Sequence, residues 1–137
     1  MLNRIKRPWE ISRDLEQSQG RKVITKFYQS KHWKKARQMF KNSFSDHLPG
    51  LTNHNNRFCW ICALSGKYTL THTIDHIKPI NREDPFDTKN GHYGEPLTFN
   101  NLAPLCEHHA NKKNAFERHG KILSIKQQSE LLKDLNY

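Results

Sequence analysis

Three short stretches of this sequence carry residue types that do chemistry when they are brought together. Asp75-His76 lies inside Thr73-Ile74-Asp75-His76-Ile77-Lys78-Pro79-Ile80, a run rich in β-branched residues. Cys59-x-x-Cys62 precedes that run and Cys106-x-x-His109 follows it. Neighbouring side chains on a strand point to opposite faces, so one member of the acid–imidazole pair can grip a metal while the other approaches a substrate. Zinc takes four tetrahedral ligands from thiolate and imidazole, and two pairs with matching gaps supply them as a Cys3His set. The spacing therefore predicts structural Zn2+ at Cys59, Cys62, Cys106 and His109, with His108 the rival for the last place. The plainer alternatives are a buried apolar Cys106 beside an exposed His109, and an Asp75-His76 pair that only hydrogen-bonds at a strand end.

The elements that must position these residues follow from pattern. Ser30 is placed to cap a helix in which Trp33, Ala36, Phe40 and Phe44 recur on one face, with Lys31, Lys34, Lys35 and Lys41 on the other. Residues 45–57 carry loop breakers, and Phe58–Ile61 enters the first cysteine pair. Tyr68–Ile80 reads as a strand ended by Pro79. Residues 81–98 form a long loop of the kind that often carries function. Asn100–Leu105 leads into a helix from about Cys106 to His119, closed by Gly120. Ser124 and Gln127 make a capping-box pattern for a last helix over about residues 124–136. Residues 1–25 read as a basic arm with at most a short helix around Trp9–Gln17.

Size and charge narrow the partners. A chain of 137 residues with 34% hydrophobic residues and a mean hydropathy of −0.94 has a small core, which a structural metal would staple. The formal net charge is +10, and residues 1–42 hold twelve Lys and Arg against three acids. Such an excess is the footprint of a polyanion partner, most often nucleic acid; the plainer reading is a solubilising tail. Three cysteines cannot close a disulfide set, and Cys-x-x-Cys in a reduced compartment points to metal or redox chemistry. The absence of a signal peptide or a long apolar run leads us to expect a soluble, cytoplasmic protein in a bacterial or phage-infected cell.

Asp75-His76, Asn101-Leu102 and Cys106-x-x-His109 at a helix start together resemble an HNH endonuclease of the ββα-metal fold, in its phage-type zinc-knuckle subgroup. The segment Phe27-Tyr28-Gln29-Ser30-Lys31-His32-Trp33-Lys34-Lys35-Ala36-Arg37 is similar to the one before the first knuckle in that subgroup, so the likeness spans about residues 26–117. The resemblance implies an α+β fold: a zinc-stapled ββα core over about residues 58–118, inside a nuclease domain of residues 26–137 with flanking helices. It also implies that Asp75 binds a catalytic Mg2+ or Mn2+, that His76 is the general base, and that Asn101 fixes the loop and orients the imidazole. One position departs. The family has a metal-binding histidine directly after the last zinc ligand, and here that residue is Ala110. Asn114, one turn on, is the preferred replacement, then Asn111; otherwise His109 turns to the catalytic metal and His108 takes its place at zinc.

The expected function is metal-dependent hydrolysis of DNA phosphodiester bonds by nicking or double-strand cutting. Lys31, Lys34, Lys35, Arg37, Lys112 and Lys113 are the expected phosphate contacts, and His72 and His92 are read as ordinary exposed histidines. The resemblance places such a protein in phage packaging or a mobile element. The alternative is a zinc-stabilised DNA-binding or partner-docking module that lost catalysis at Ala110; a redox role for Cys59-x-x-Cys62 is a third reading. Sequence leaves open DNA against RNA, the recognition site and the oligomeric state.

Overall fold

The computed structural model describes residues 23–133, so the expected helix around Trp9–Gln17 lies outside the described residues. Residues 23–29 are helical, and Ile24 and Phe27 are buried. The arm expected over residues 1–25 thus ends earlier, because these apolar side chains join the core.

Helix α1 (Lys31–Lys41) starts where Ser30 Oγ accepts from the Trp33 N–H, as its capping pattern predicts. It buries Trp33 and Phe40 and leaves Lys31, Lys34, Lys35 and Arg37 exposed. Phe44 is not part of that stripe: it is 59% exposed. The helix stops at Asn42, and the Ser43 hydroxyl donates to the Phe40 carbonyl, turning the chain into a hairpin. The region expected as plain loop holds β1 (Phe44–Ser45) and β2 (His54–Asn55), paired antiparallel. Buried Asn56 ties this hairpin down by donating to the Phe40 carbonyl and Ser45 Oγ.

The first cysteine pair opens the short helix α2 (Trp60–Leu64). The long strand expected over Tyr68–Ile80 is divided. Its first part bonds back to the knuckle, through Thr69 O to Cys59 N and Thr71 N to Arg57 O, and only Thr73–His76 forms β3. The partner of β3 is β4 (Leu102–Leu105), antiparallel, with Asp75 opposite Ala103 and His76 opposite Leu102. β4 was unexpected because it is buried along its whole length, so it shows no alternation, and it contains Pro104.

Helix α3 (Glu107–Arg118) follows with Cys106 as its N-cap, and α4 (Ile125–Leu131) begins with the full Ser124–Gln127 capping box. The order β3, β4, α3 is the expected ββα unit. The last helix ends before the expected 136: Leu132 is its cap, and residues 134–137 lie outside the description. Buried Gln128 locks α4 on by donating to the Ile77 and Leu123 carbonyls. One apolar cluster gathers Trp60, Ile61, Leu105 and Leu132 around the cysteines; another joins Ile24, Phe27, Trp33 and Phe40 to Ile74 and Leu102.

Candidate functional site

Two sites sit on the ββα unit, one at each side of α3. At its N-terminal end, the Sγ atoms of Cys59, Cys62 and Cys106 and a ring nitrogen of His109 lie within 4.8 Å of one another, all buried. His109 Nδ1 is 3.5, 3.4 and 3.2 Å from the three sulfurs in turn, and Cys62 Sγ is 3.9 Å from Cys106 Sγ. A tetrahedral zinc with ordinary bond lengths would set about 3.6 Å from sulfur to nitrogen and about 3.8 Å between sulfurs. The donor set therefore fits Zn2+. Burial pushes the Cys59 thiol up to about 12 and raises the Cys62 thiol as well, so these two sulfurs need a bound cation to become thiolates. His109, rather than the exposed neighbour His108, completes the set, and the three cysteines form no disulfide.

The second site is a cavity of about 610 Å³ whose lining includes Tyr28, Asp75, His76, Lys113, Asn114 and Glu117. Burial alternates along β3, as expected for side chains on opposite faces, yet Asp75 and His76 both reach this cavity. Among the described residues β3 pairs only with β4.

His76 is 5% exposed and lies under the rings of Trp33, Phe27 and Tyr28, with the Trp33 ring 4.8 Å away and tilted by 30°. Its Nε2 is 2.8 Å from the Pro96 carbonyl oxygen, which can only accept. The neutral imidazole must therefore carry its proton on Nε2 and keep the Nδ1 lone pair as a base. Burial lowers its pKa, the Pro96 contact resists, and Lys113 adds to the lowering.

Asn101 fastens the loop that supplies Pro96. Its Oδ1 accepts from Lys78 N at 2.9 Å, and its Nδ2 donates to Lys78 O at 3.0 Å and Glu95 O at 2.9 Å. Gly94 is obligatory beside it, since a Cβ there would strike both the Asn101 amide and the Lys78 carbonyl. The exposed Asn100 makes no part of this clamp.

Lys113 overturns one expectation. It was read as a phosphate contact on a solvated face, but it is 2% exposed. Its Nζ lies 2.7 Å from Asp75 Oδ2 and 2.6 Å from Glu117 Oε1, and donates to the His76 carbonyl at 3.2 Å. Burial opposes its charge, but Asp75 and Glu117 outweigh that and raise its pKa. The Asp75 carboxyl is raised by burial, with Lys113 pulling the other way. Lys112 is also drawn inward, donating to the Leu132 and Lys133 carbonyls behind α4. Asn114 is exposed at the cavity wall, Asn111 is exposed on the same helix, and Ala110 is buried in the zinc-side core. As these side chains stand, a divalent ion does not fit Asp75, because an ammonium already sits on its carboxylate.

Arg82, Glu117 and Tyr28 were not among the expected site residues, and they line the cavity together with Arg118. Glu117 was accessible in principle: it is four residues after Lys113, the spacing of a helical ion pair. His72 and His92 are exposed, as expected. Among the described residues no helix is long and apolar enough to cross a membrane.

Comparison with curated proteins and with solved structures gave no significant match. A family model does match: residues 59–115 fit the HNH endonuclease, a family generally made up of endonucleases that act on DNA. That stretch runs from the first zinc ligand through both strands into α3. Residues 59–115 thus match the HNH endonuclease domain, on a small helix–strand unit around a Cys3His cluster able to hold zinc.

Proposed function

We propose that this protein hydrolyses DNA phosphodiester bonds, with His76 as the general base. The observation that carries this reading is the imidazole itself: buried, pinned at Nε2 by Pro96, and lowered in pKa beside a cavity open to a phosphate. His76 Nδ1 takes a proton from a water as that water attacks phosphorus, and the 3′ or 5′ oxygen leaves on the opposite side. Asn101 acts through the loop, holding Glu95 and so the Pro96 carbonyl in place. The cavity is lined by Arg82, Arg118 and Lys113 against Asp75 and Glu117, a formal balance of three cations to two anions. Arg82 and Arg118 are the groups placed to meet the charge that grows on the phosphate oxygens. Zn2+ at Cys59, Cys62, Cys106 and His109 would fasten α2 to the start of α3 and take no part in hydrolysis. The exposed Lys31, Lys34, Lys35 and Arg37 on α1 would track the DNA backbone.

The expectation of Mg2+ or Mn2+ at Asp75 with Asn114 or Asn111 is not carried into this mechanism, since Lys113 stands in the way. The same ion pair favours a second reading, a DNA-binding module that does not cut. Conversion of supercoiled plasmid by zinc-loaded protein, in buffer without Mg2+ or Mn2+ and with either added, beside a His76→Ala control, separates the two. Nicking that disappears in the variant supports hydrolysis. DNA binding without cutting under every condition selects the binding module.

A further inference from the structure

We propose that Lys113 is the resident cation of this cavity: its ammonium replaces a divalent ion at Asp75, so the wild-type chain has no divalent-ion site there. The inference does not depend on whether the cavity cuts DNA.

The ammonium donates to Glu117 Oε1 at 2.6 Å and to the His76 carbonyl at 3.2 Å, and Asp75 Oδ2, which makes no hydrogen bond, lies 2.7 Å away as an ion pair. Two carboxylates and a backbone carbonyl, all oxygen, are what a hard cation would recruit. Here they converge on nitrogen. Lys113 stands on α3 three residues after Ala110, the position where the sequence offers no metal ligand, and its near-complete burial leaves the ammonium no solvated alternative nearby. A divalent ion on the same Asp75 carboxylate would meet a fixed positive charge within a few ångströms in a poorly screened place. Asp75, Glu117 and Lys113 together carry one net negative charge; without Lys113 they would carry two, facing each other across the cavity that Asn114 also lines.

The substitution Lys113→Met keeps the length and apolar body of the side chain and removes the charge. Its expected effect is to open an Asp75–Glu117 dicarboxylate site for a divalent ion. Mn2+ binding to zinc-loaded protein, followed by loss of the free-ion electron paramagnetic resonance signal, reads this without any substrate. The wild-type chain should take up no stoichiometric Mn2+. Lys113→Met should bind one Mn2+ at least about a hundredfold more tightly, and Lys113→Met/Asp75→Asn should lose it. Stoichiometric Mn2+ uptake by the wild type that vanishes in Asp75→Asn would overturn the proposal, showing that Lys113 yields to metal. So would failure of a folded Lys113→Met to bind. If Lys113→Met does not fold, Lys113→Arg preserves the positive charge and must remain unable to bind Mn2+; uptake there refutes the exclusion by charge. Plasmid nicking by zinc-loaded protein is scored separately: cutting in buffer freed of Mg2+ and Mn2+ agrees with a resident ammonium, cutting only with added divalent ion opposes it, and no cutting sinks the nuclease reading while Mn2+ uptake still decides this one.

Discussion

Replacing Asn101 by alanine isolates the clamp that orients His76. The substitution removes three hydrogen bonds, one accepted from Lys78 N and two donated to Lys78 O and Glu95 O. Each is worth about 0.5–1.5 kcal/mol net, and because water can reach the freed groups the lower end applies, giving about 1.5 kcal/mol in all. In a chain of this size that lowers Tm by about 5 °C. The functional loss should be larger than the loss of stability suggests. Once Glu95 is released, the neighbouring Pro96 carbonyl no longer fixes His76 Nε2, and misplacing a base by about 1 Å costs about a hundredfold in rate. Asn101→Asp should do worse than alanine despite its shape, since it sets a carboxylate against two carbonyl oxygens. Thermal unfolding, single-turnover plasmid nicking and the 15N shifts of His76 test these links separately. The wild type should show one tautomer with the proton on Nε2, and the alanine variant a mixture. A variant that loses stability but keeps the wild-type rate and a single tautomer would refute the positioning argument.

Four other outcomes follow from the same geometry. Removing zinc with a strong chelator should abolish the cooperative unfolding transition, because zinc sites of this kind contribute about 10–16 kcal/mol against a typical total of about 5–15 kcal/mol; circular dichroism during chelation checks it. Gly94→Ala should cut activity as Asn101→Ala does, through collision with the same clamp, and normal nicking by a folded Gly94→Ala protein would contradict it. Burial depresses the His76 pKa, so the acid limb of the pH–rate profile should have its midpoint below the usual 6.5. Its contribution to stability is correspondingly full above 6.5 and lost as pH falls through the folded value, because the unfolded chain takes the proton first; His76→Phe should flatten that part of a stability–pH curve. Neutralising Lys31, Lys34, Lys35 and Arg37 together should reduce the slope of log affinity against log salt by up to about 3–4, measured by fluorescence anisotropy on duplex DNA.

The sequence by itself determined what depends on short spacing. Two Cys/His pairs with equal gaps identified the four residues that converge at the cluster, and the Ser30 and Ser124 caps marked the starts of two helices. These features are legible because a knuckle or cap is made by residues within one turn of each other. The strand β4 was not, since a segment buried on both sides and holding a proline has no alternation to read. Nor was the division of Tyr68–Ile80, where β propensity is satisfied by two different partners and only their distant positions say where one gives way to the other. The cavity shows the same limit. Asp75, His76 and Asn101 could be singled out by type, but a lysine on a polar helix looks solvated until a strand delivers an aspartate and a backbone carbonyl to its ammonium. Tertiary structure alone decided that Lys113 points inward, because the Asp75 carboxylate and His76 carbonyl that meet it there lie far from it in the chain.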